Sequence, residues 1–370
     1  MLRLFAAAPA PAVGRRTMTM LVPNAMRREQ IQAVRDMNAY FPKVVEQLKG
    51  MGDACNLIGE SDWLEKLLYY TVPGGKMVRA VTVYEGIMVL GGRDTPGLKE
   101  KAMNIAWSME MVQASMLIAD DISDESFKRR GRDSWHVIAG KDAVFDAILV
   151  STCAYALLGM HCDGEAFHRS LRNYNEILFQ ICMGQNQDNH CTDPLQGKAK
   201  FDEFNMDRYT RVCEHKSGGY TFFLPMSTAL NVCGIFDEAA HDAARDISSD
   251  LGLLYQVQDD YLDTYGIIRK MGKGRTDIKN GKCTWIIVEA INRANDEQRQ
   301  RLKENYGYDD PKKVDKVLEV FTELKMKEVF LQWEKSMMDK IEGKIRKYSD
   351  LVNPEVFTQS LESIKYHINR

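Results

Sequence analysis

Two short acidic runs hold the side chains best suited to chemistry in this chain. Asp120-Asp121-Ile122-Ser123-Asp124 follows the largely apolar stretch 112–119, and Asp259-Asp260-Tyr261-Leu262-Asp263 follows a similar stretch ending at Gln258. Each reads D-D-x-x-D, so on a helix Asp120 projects beside Asp124, and Asp259 beside Asp263. Like charges at that spacing cost an isolated helix roughly 0.2–0.5 kcal/mol, and the macrodipole disfavours anions at a helix C-terminus. Positive charge must offset this twice. Mg²⁺ fits best, because it takes one or two carboxylates and completes its shell with substrate phosphate. A single acidic pair has a blander reading, as in Asp309-Asp310 before Pro311, a polar pair at a helix start. Two D-D-x-x-D runs in matched apolar settings do not reduce to that.

Cations stand beside these acids. Lys128-Arg129-Arg130-Gly131-Arg132 follows the first run directly. Alone it would read as a solvated face; next to a metal site it reads as a diphosphate clamp, since Arg offers a bidentate fork to phosphate oxygens. Gly74-Gly75-Lys76 with Arg79, Lys216 with Ser217, and Gly272-Lys273-Gly274 are further candidates. Their glycines let backbone N–H groups approach phosphate. Acids and cations together imply a cavity holding Mg²⁺ and more than one diphosphate.

The elements that must position these groups are helices. Apolar residues recur at three- and four-residue spacing over 31–48, 63–70, 78–90, 98–119, 143–158, 167–183, 201–213, 220–232, 239–262 and 285–294, and again after Pro311, where Val314, Val317, Leu318, Phe321 and Leu324 form one stripe. Breaks fall at Gly91-Gly92, Gly164, Asp193-Pro194, Gly234 and 272–274. No stretch alternates strictly, no proline- or serine-rich linker divides the chain, and no repeat is visible. The expected fold is all-α, a single large helical domain over 29–370.

Composition narrows the function classes. In 370 residues, 45% are apolar or aromatic and 27% are charged, with a net charge of −3, so no basic field marks a nucleic-acid binder. No run approaches the ~18 apolar residues needed to span a bilayer, so integral membrane association is not expected. The eight cysteines are widely spaced without a C-x-x-C pair and read as reduced thiols, mostly buried. From Met1 to Arg28 there is no acid but five arginines, with Leu2, Leu4 and Phe5 as an apolar face, the composition of a mitochondrial transit peptide. A disordered cytoplasmic leader is the alternative.

Taken in order, Gly74-Gly75-Lys76-Met77-Val78-Arg79, Gln113, the run 120–131, Gly184-Gln185 with Asp188, Lys216-Ser217, the run 256–266, Gly272-Lys273 with Thr276-Asp277-Ile278, and Lys282-Cys283 carry a resemblance. The chain resembles the all-helical trans-isoprenyl diphosphate synthases, and among them the animal farnesyl diphosphate synthases, from about residue 30 to the C-terminus. The resemblance implies a bundle around a central cavity, a homodimer, and a condensation of isopentenyl diphosphate with dimethylallyl or geranyl diphosphate. It also implies that Asp120, Asp124 and Asp259 ligate three Mg²⁺ ions, with Asp263 and Asp277 in support. Arg129, Lys216 and Lys273 would then hold the allylic diphosphate, and Lys76, Arg79, Gln113 and Arg130 the isopentenyl diphosphate. Gln185, Asp188, Ser217 and Gln256 would line the reacting end.

Departures from the family pattern set further expectations. Product length in the family depends on the residues five and four positions before the first aspartate, usually aromatic and here Ser115 and Met116. Serine is small and methionine pliable, so a deeper tail pocket is expected unless another bulky side chain fills it. Ile267 replaces a usual aspartate, Arg275 a glycine, and the basic C-terminal tail is reduced to Arg370. Besides the condensing prenyltransferase, two rivals stand: a terpene synthase that ionises a prenyl diphosphate without coupling, and a silent modulatory subunit. Retention of Lys76, Arg79, Gln113 and Arg130 speaks against the first, and two intact aspartate motifs against the second.

Overall fold

The computed structural model describes residues 28–56, 58–189, 192–193, 198–266 and 275–365. The leader, Ile267, Lys273 and the tail from 366 fall outside the described residues, as do the side chains of Asp188, Lys216 and Ser217. The chain opens with α1 (Arg28–Ala54), α2 (Ile58–Thr71), α3 (Val78–Leu90) and α4 (Leu98–Ser123), followed by a hairpin, β1 (Lys128–Arg129) and β2 (Arg132–Asp133). Next come the short α5 (Trp135–Ala139), α6 (Ala143–His161), α7 (Gly164–Asn189) and a second two-stranded pair, β3 (Thr192–Asp193) with β4 (Lys198–Ala199). Then follow α8 (Met206–Cys213), a π-helical stretch (Glu214–Phe223), α9 (Leu224–Val232) and α10 (Glu238–Tyr265). The series closes with α11 (Thr276–Asn280), α12 (Trp285–Arg293), α13 (Asp296–Asn305), α14 (Pro311–Glu323), α15 (Met326–Lys347) and α16 (Pro354–Lys365).

The all-α expectation holds, and most periodic stretches are helices close to their expected bounds. Three departures have physical reasons. Residues 201–213 do not form one helix, because Asn205 caps α8 by accepting the Arg208 N–H at 2.9 Å, leaving a 3₁₀ turn at Phe201–Glu203. No break separates that helix from the next; the π-helical stretch carries the chain straight into α9. The stripe after Pro311 stops at Lys325, whose φ of 53° ends α14 and starts α15. Polar α13 was invisible to periodicity and is held instead by a capping box between Asn295 and Gln298.

Three apolar clusters build the core. The first joins α1 to α4 with α6, α7 and α9. The second gathers α8 and α12 to α15, and the third packs α9, α10, α15 and α16 together. Leu90 packs against the first and third, Leu253 and Trp333 against the second and third, so the clusters interlock. Helix α4 is buried continuously from Ala102 to Val112, with Asn104, Ser108 and Glu110 the polar side chains in an otherwise apolar stretch. Both α4 and α10 end in their acidic runs.

One reading needs correction. Within residues 135–161 an 18-residue stretch reaches a mean hydropathy of 1.8, apolar enough, by length and composition, to cross a membrane. Within that run Gly140, at φ 62°, breaks α5 from α6. Buried Asp146 accepts the indole N–H groups of Trp63 at 2.8 Å and Trp135 at 2.7 Å, tying α6 to α2 and α5. Val150, Cys153, Ala154 and Leu157 of α6 lie in the first core cluster. The helix is a packed element whose other face carries exposed apolar side chains. Among the described cysteines Cys153, Cys162, Cys213 and Cys283 are buried and all are free thiols, as expected.

Candidate functional site

The first acidic run lies where α4 stops. Asp120 is in the last helical turn, and Asp124 is the C-cap (φ −88°, ψ 1°), its N–H donating to the Asp120 carbonyl at 2.8 Å. The pair thus keeps its helical spacing at the helix end, with Asp124 just beyond regular helix. Asp121 turns inward instead. Its carboxylate accepts Arg129 Nε at 2.9 Å and Nη2 at 2.6 Å, while the same Nη2 reaches Asp120 at 3.0 Å.

The basic run folds as a two-residue hairpin. Lys128 pairs with Asp133 and Arg129 with Arg132, and the turn residues Arg130 (φ 53°) and Gly131 (φ 77°) both take left-handed backbone, as a primed hairpin turn requires. Arg132 anchors the hairpin by donating to the Tyr70 carbonyl and stacking 4.2 Å from the Tyr70 ring centre. Adjacent arginines therefore serve different places. Arg129 turns to the acidic run, whereas Arg130 lies over Gly74 and Gly75, donating to the Pro73 carbonyl at 3.2 Å. A Cβ on Gly74 would sit 3.1 Å from Arg130 Nη1, and one on Gly75 3.2 Å from Nε, so the glycine pair makes room for this guanidinium.

The second acidic run occupies the last two turns of α10. Asp260 is buried and accepts from Tyr209 Oη at 2.8 Å, Gln256 Nε2 at 3.0 Å and the Trp285 N–H at 2.9 Å. Burial pushes its carboxyl up to about 6, against the pull of those donors. Asp263 is a structural ligand. Its carboxylate accepts the Thr276 N–H at 3.2 Å, Thr276 Oγ1 at 2.7 Å and the Asp277 N–H at 3.0 Å, capping α11 from a neighbouring helix. Asp277 is thereby fixed at the cavity wall.

These elements enclose a chamber of about 860 Å³, within the range of small-molecule sites. Its described wall includes Asp120 of α4 and its C-cap Asp124, Gln185 of α7, Gln256 and Asp260 of α10, and Asp277, Lys279 and Lys282 on or after α11. Asp259 is half-buried one position from Asp260 and is not part of this wall. Among the described residues no three His, Cys, Asp or Glu converge closely enough to hold a metal by themselves. The donors offered are carboxylates, amides and hydroxyls. Separated carboxylates without a closed cage suit Mg²⁺, which retains water and uses substrate phosphate to complete its shell.

A second group of the expected residues gathers apart from this chamber, around the start of α3. Arg79 Nη2 donates to Thr221 Oγ1 at 2.7 Å, and its guanidinium lies 4.2 Å from the Tyr220 ring centre. Tyr220 Oη donates to Gln113 Oε1 at 2.7 Å. Arg79 Nε is a buried donor without a hydrogen-bond partner. Lys76 belongs to the Gly74–Met77 loop that leads into α3. Glu110, buried on α4, stands 4.0 Å from Arg130. Burial raises its carboxyl, and the charges of Arg130 and Arg79 oppose the shift.

The polyprenyl synthetase family model matches residues 61–324, a span that contains both aspartate runs and the arginine recess. The chain belongs to the polyprenyl synthetase family. It is 33% identical over 346 residues to a farnesyl pyrophosphate synthase of Gallus gallus, covering 91% of this chain and 92% of that protein. A yeast (Saccharomyces cerevisiae) farnesyl pyrophosphate synthase is 34% identical over 325 residues, covering 86% of this chain and 92% of its own. The human one is 36% identical over 300 residues, with 80% and 71% covered. As a polyprenyl synthetase the chain is a prenyltransferase, and this family is generally Mg²⁺-dependent.

Within this prenyltransferase the structure divides the sequence-derived site residues. Asp120, Asp124 and Gln256 meet in the chamber with Arg129 at its edge, whereas Arg79, Gln113 and Arg130 meet in the recess. Ser115 and Met116 belong to neither: Ser115 is buried, with Oγ donating to the Val112 carbonyl at 2.9 Å, and Met116 is half-buried against the first core cluster. The small side chain at 115 thus opens onto packed core. Tyr209, Tyr220, Glu110, Lys279 and Asp309 were not foreseen, because each acts through a partner distant in sequence. Lys282 stood inside a matched motif, and only its place on the wall gives it a role.

Proposed function

We propose that the chain condenses isopentenyl diphosphate with dimethylallyl and then geranyl diphosphate to form farnesyl diphosphate. One observation carries this reading: the Arg129–Arg130 hairpin joins an acid-lined chamber to a second, cationic cluster, Arg129 reaching Asp120 at 3.0 Å and Arg130 lying over Gly74 and Gly75 near Arg79. A synthase that ionises a single prenyl diphosphate has no use for the recess. Asp120 and Asp124 on the chamber wall, with Asp259 behind it, would hold three Mg²⁺ ions, with Asp263 and Asp277 in support. When bound, those ions neutralise diphosphate charge and so favour loss of the leaving group.

The chain's own groups do the rest. Arg129, with Lys216 and Lys273, meets the departing diphosphate, whose oxygen takes the electron pair as the allylic C–O bond breaks. Lys76, Arg79, Gln113 and Arg130 hold isopentenyl diphosphate so that its double bond faces the allylic cation. A carbon–carbon bond forms and the released proton passes to the departed diphosphate. Helix α4 sets the alignment, because Gln113 and Asp120 are seven residues apart, about 10 Å along its axis.

The apolar outer face of α6 and α7, where Phe145 is 76% and Phe179 67% exposed, supports a homodimer. The deciding experiment incubates the full chain with Mg²⁺, isopentenyl diphosphate and each allylic diphosphate and identifies products by mass spectrometry. A fifteen-carbon diphosphate is expected. Hydrocarbons or alcohols formed without isopentenyl diphosphate would overturn the reading.

A further inference from the structure

The acidic pair before Pro311 does not behave as a pair. Asp310 is the expected helix cap, accepting the Lys312 N–H at 2.9 Å at the start of α14. Asp309 instead lies on the chamber wall and binds Lys279 Nζ at 2.8 Å. Lys279 is on that wall too, with 35% of its side chain exposed against 79% for Asp309. The backbone beneath this contact is well fixed. Asp263 caps α11, Ile278 is buried, and the Gly307 N–H donates to the Ile278 carbonyl at 2.9 Å, holding the 307–309 loop against α11. What can move is the lysine's four-carbon stem and its ammonium head. An exposed ion pair of this kind is weakly held, whereas a diphosphate offers the same ammonium several anionic oxygens at once.

We propose that Lys279 is a further diphosphate-binding cation of the chamber and that Asp309 is its resting counter-ion, displaced when the allylic diphosphate enters. The proposal rests on the chamber being the allylic diphosphate site. It predicts effects of opposite sign from the two partners. Lys279→Gln removes a cation that the diphosphate uses, while Asp309→Asn frees that cation from its competitor. In a Lys279→Gln background the Asp309 change has nothing to release.

The test measures binding of inorganic pyrophosphate with Mg²⁺ to the full chain by titration calorimetry. Lys279→Gln is expected to raise Kd about three- to tenfold, and Asp309→Asn to lower it about two- to threefold, the scale of an exposed charge contact. The double variant should match Lys279→Gln alone. A Lys279→Gln protein that binds like wild type, or an Asp309 effect that persists in the double variant, overturns the proposal. Asp120→Ala separates this failure from that of the underlying reading. If it abolishes binding while Lys279→Gln does nothing, only the Lys279 role falls. If wild-type protein binds no pyrophosphate, the chamber's assignment falls and takes the proposal with it.

Discussion

The chamber and the recess, each proposed to hold a diphosphate, are built of opposite materials. The chamber presents Asp120, Asp124, Asp260 and Asp277 against Lys279 and Lys282 on its described wall. The recess presents Arg79 and Arg130 around the buried acid Glu110. An acid-rich wall repels a diphosphate until cations bridge the two. A guanidinium pair needs no such bridge, since Arg carries its charge permanently and matches phosphate geometry with its own fork. The difference suits the chemistry proposed for each. A diphosphate that must leave gains from metal charge that strengthens its hold as the bond breaks; one that stays attached needs only to be held.

The most severe way to break this contrast is to take away the metal partner of the chamber. Asp120→Ala is expected to lower condensation by several orders of magnitude, at about 1.36 kcal/mol per tenfold, measured as turnover with isopentenyl and geranyl diphosphates. Chelation with EDTA should do the same, yet leave isopentenyl diphosphate binding in the recess nearly unchanged by equilibrium titration. Wild-type-like turnover in Asp120→Ala would refute the metal assignment. Loss of isopentenyl binding on chelation would show that the two sites are not electrostatically distinct.

The reverse test acts on the recess. Arg79→Gln removes the guanidinium that stacks on Tyr220 and carries the unpartnered Nε. A lost hydrogen bond to a charged group costs about 1.5–3 kcal/mol, so KM for isopentenyl diphosphate should rise roughly 10- to 100-fold. KM for geranyl diphosphate should stay within about twofold. Equal increases for both substrates would mean that the hairpin couples the sites more tightly than their separate contacts imply.

How far this division is legible in the sequence follows from the range of each interaction. The aspartate runs and the arginine run could be read because their residues are neighbours in sequence, and helical spacing alone sets Asp120 beside Asp124. The two-site division was open only to resemblance, since Arg79, Gln113 and Tyr220 come together across α3, α4 and the π-helical stretch. Asp263 stands beside Asp259 by spacing and is expected only in support, and its oxygens are taken by α11. Asp309 looked like half of a helix cap, yet it faces the chamber. In both cases an identical local pattern was diverted by a tertiary partner. Polar α13 was missed for a related reason: its capping box needs no apolar stripe.

The mildest test concerns α4 between the two sites. The sequence suggests that Ser115 leaves space beneath the growing prenyl tail, but its side chain is 1% exposed and bonded back to Val112. Placing Phe there inserts a ring into packed core rather than into an open floor. Overpacking of that kind costs about 1–3 kcal/mol, so Ser115→Phe should lower the melting temperature without shortening the product. Half-buried Met116 lies one position on, about 100° around the helix, with its pliable side chain packed against the first core cluster. Met116→Phe should therefore alter product length at little cost in stability, as read by product chain analysis beside thermal melts. If Ser115→Phe shortens the product and leaves the melt unchanged, position 115 faces the tail after all. The strip of α4 from Gln113 to Asp120 would then carry a pocket floor as well as the spacing between two unlike diphosphate sites.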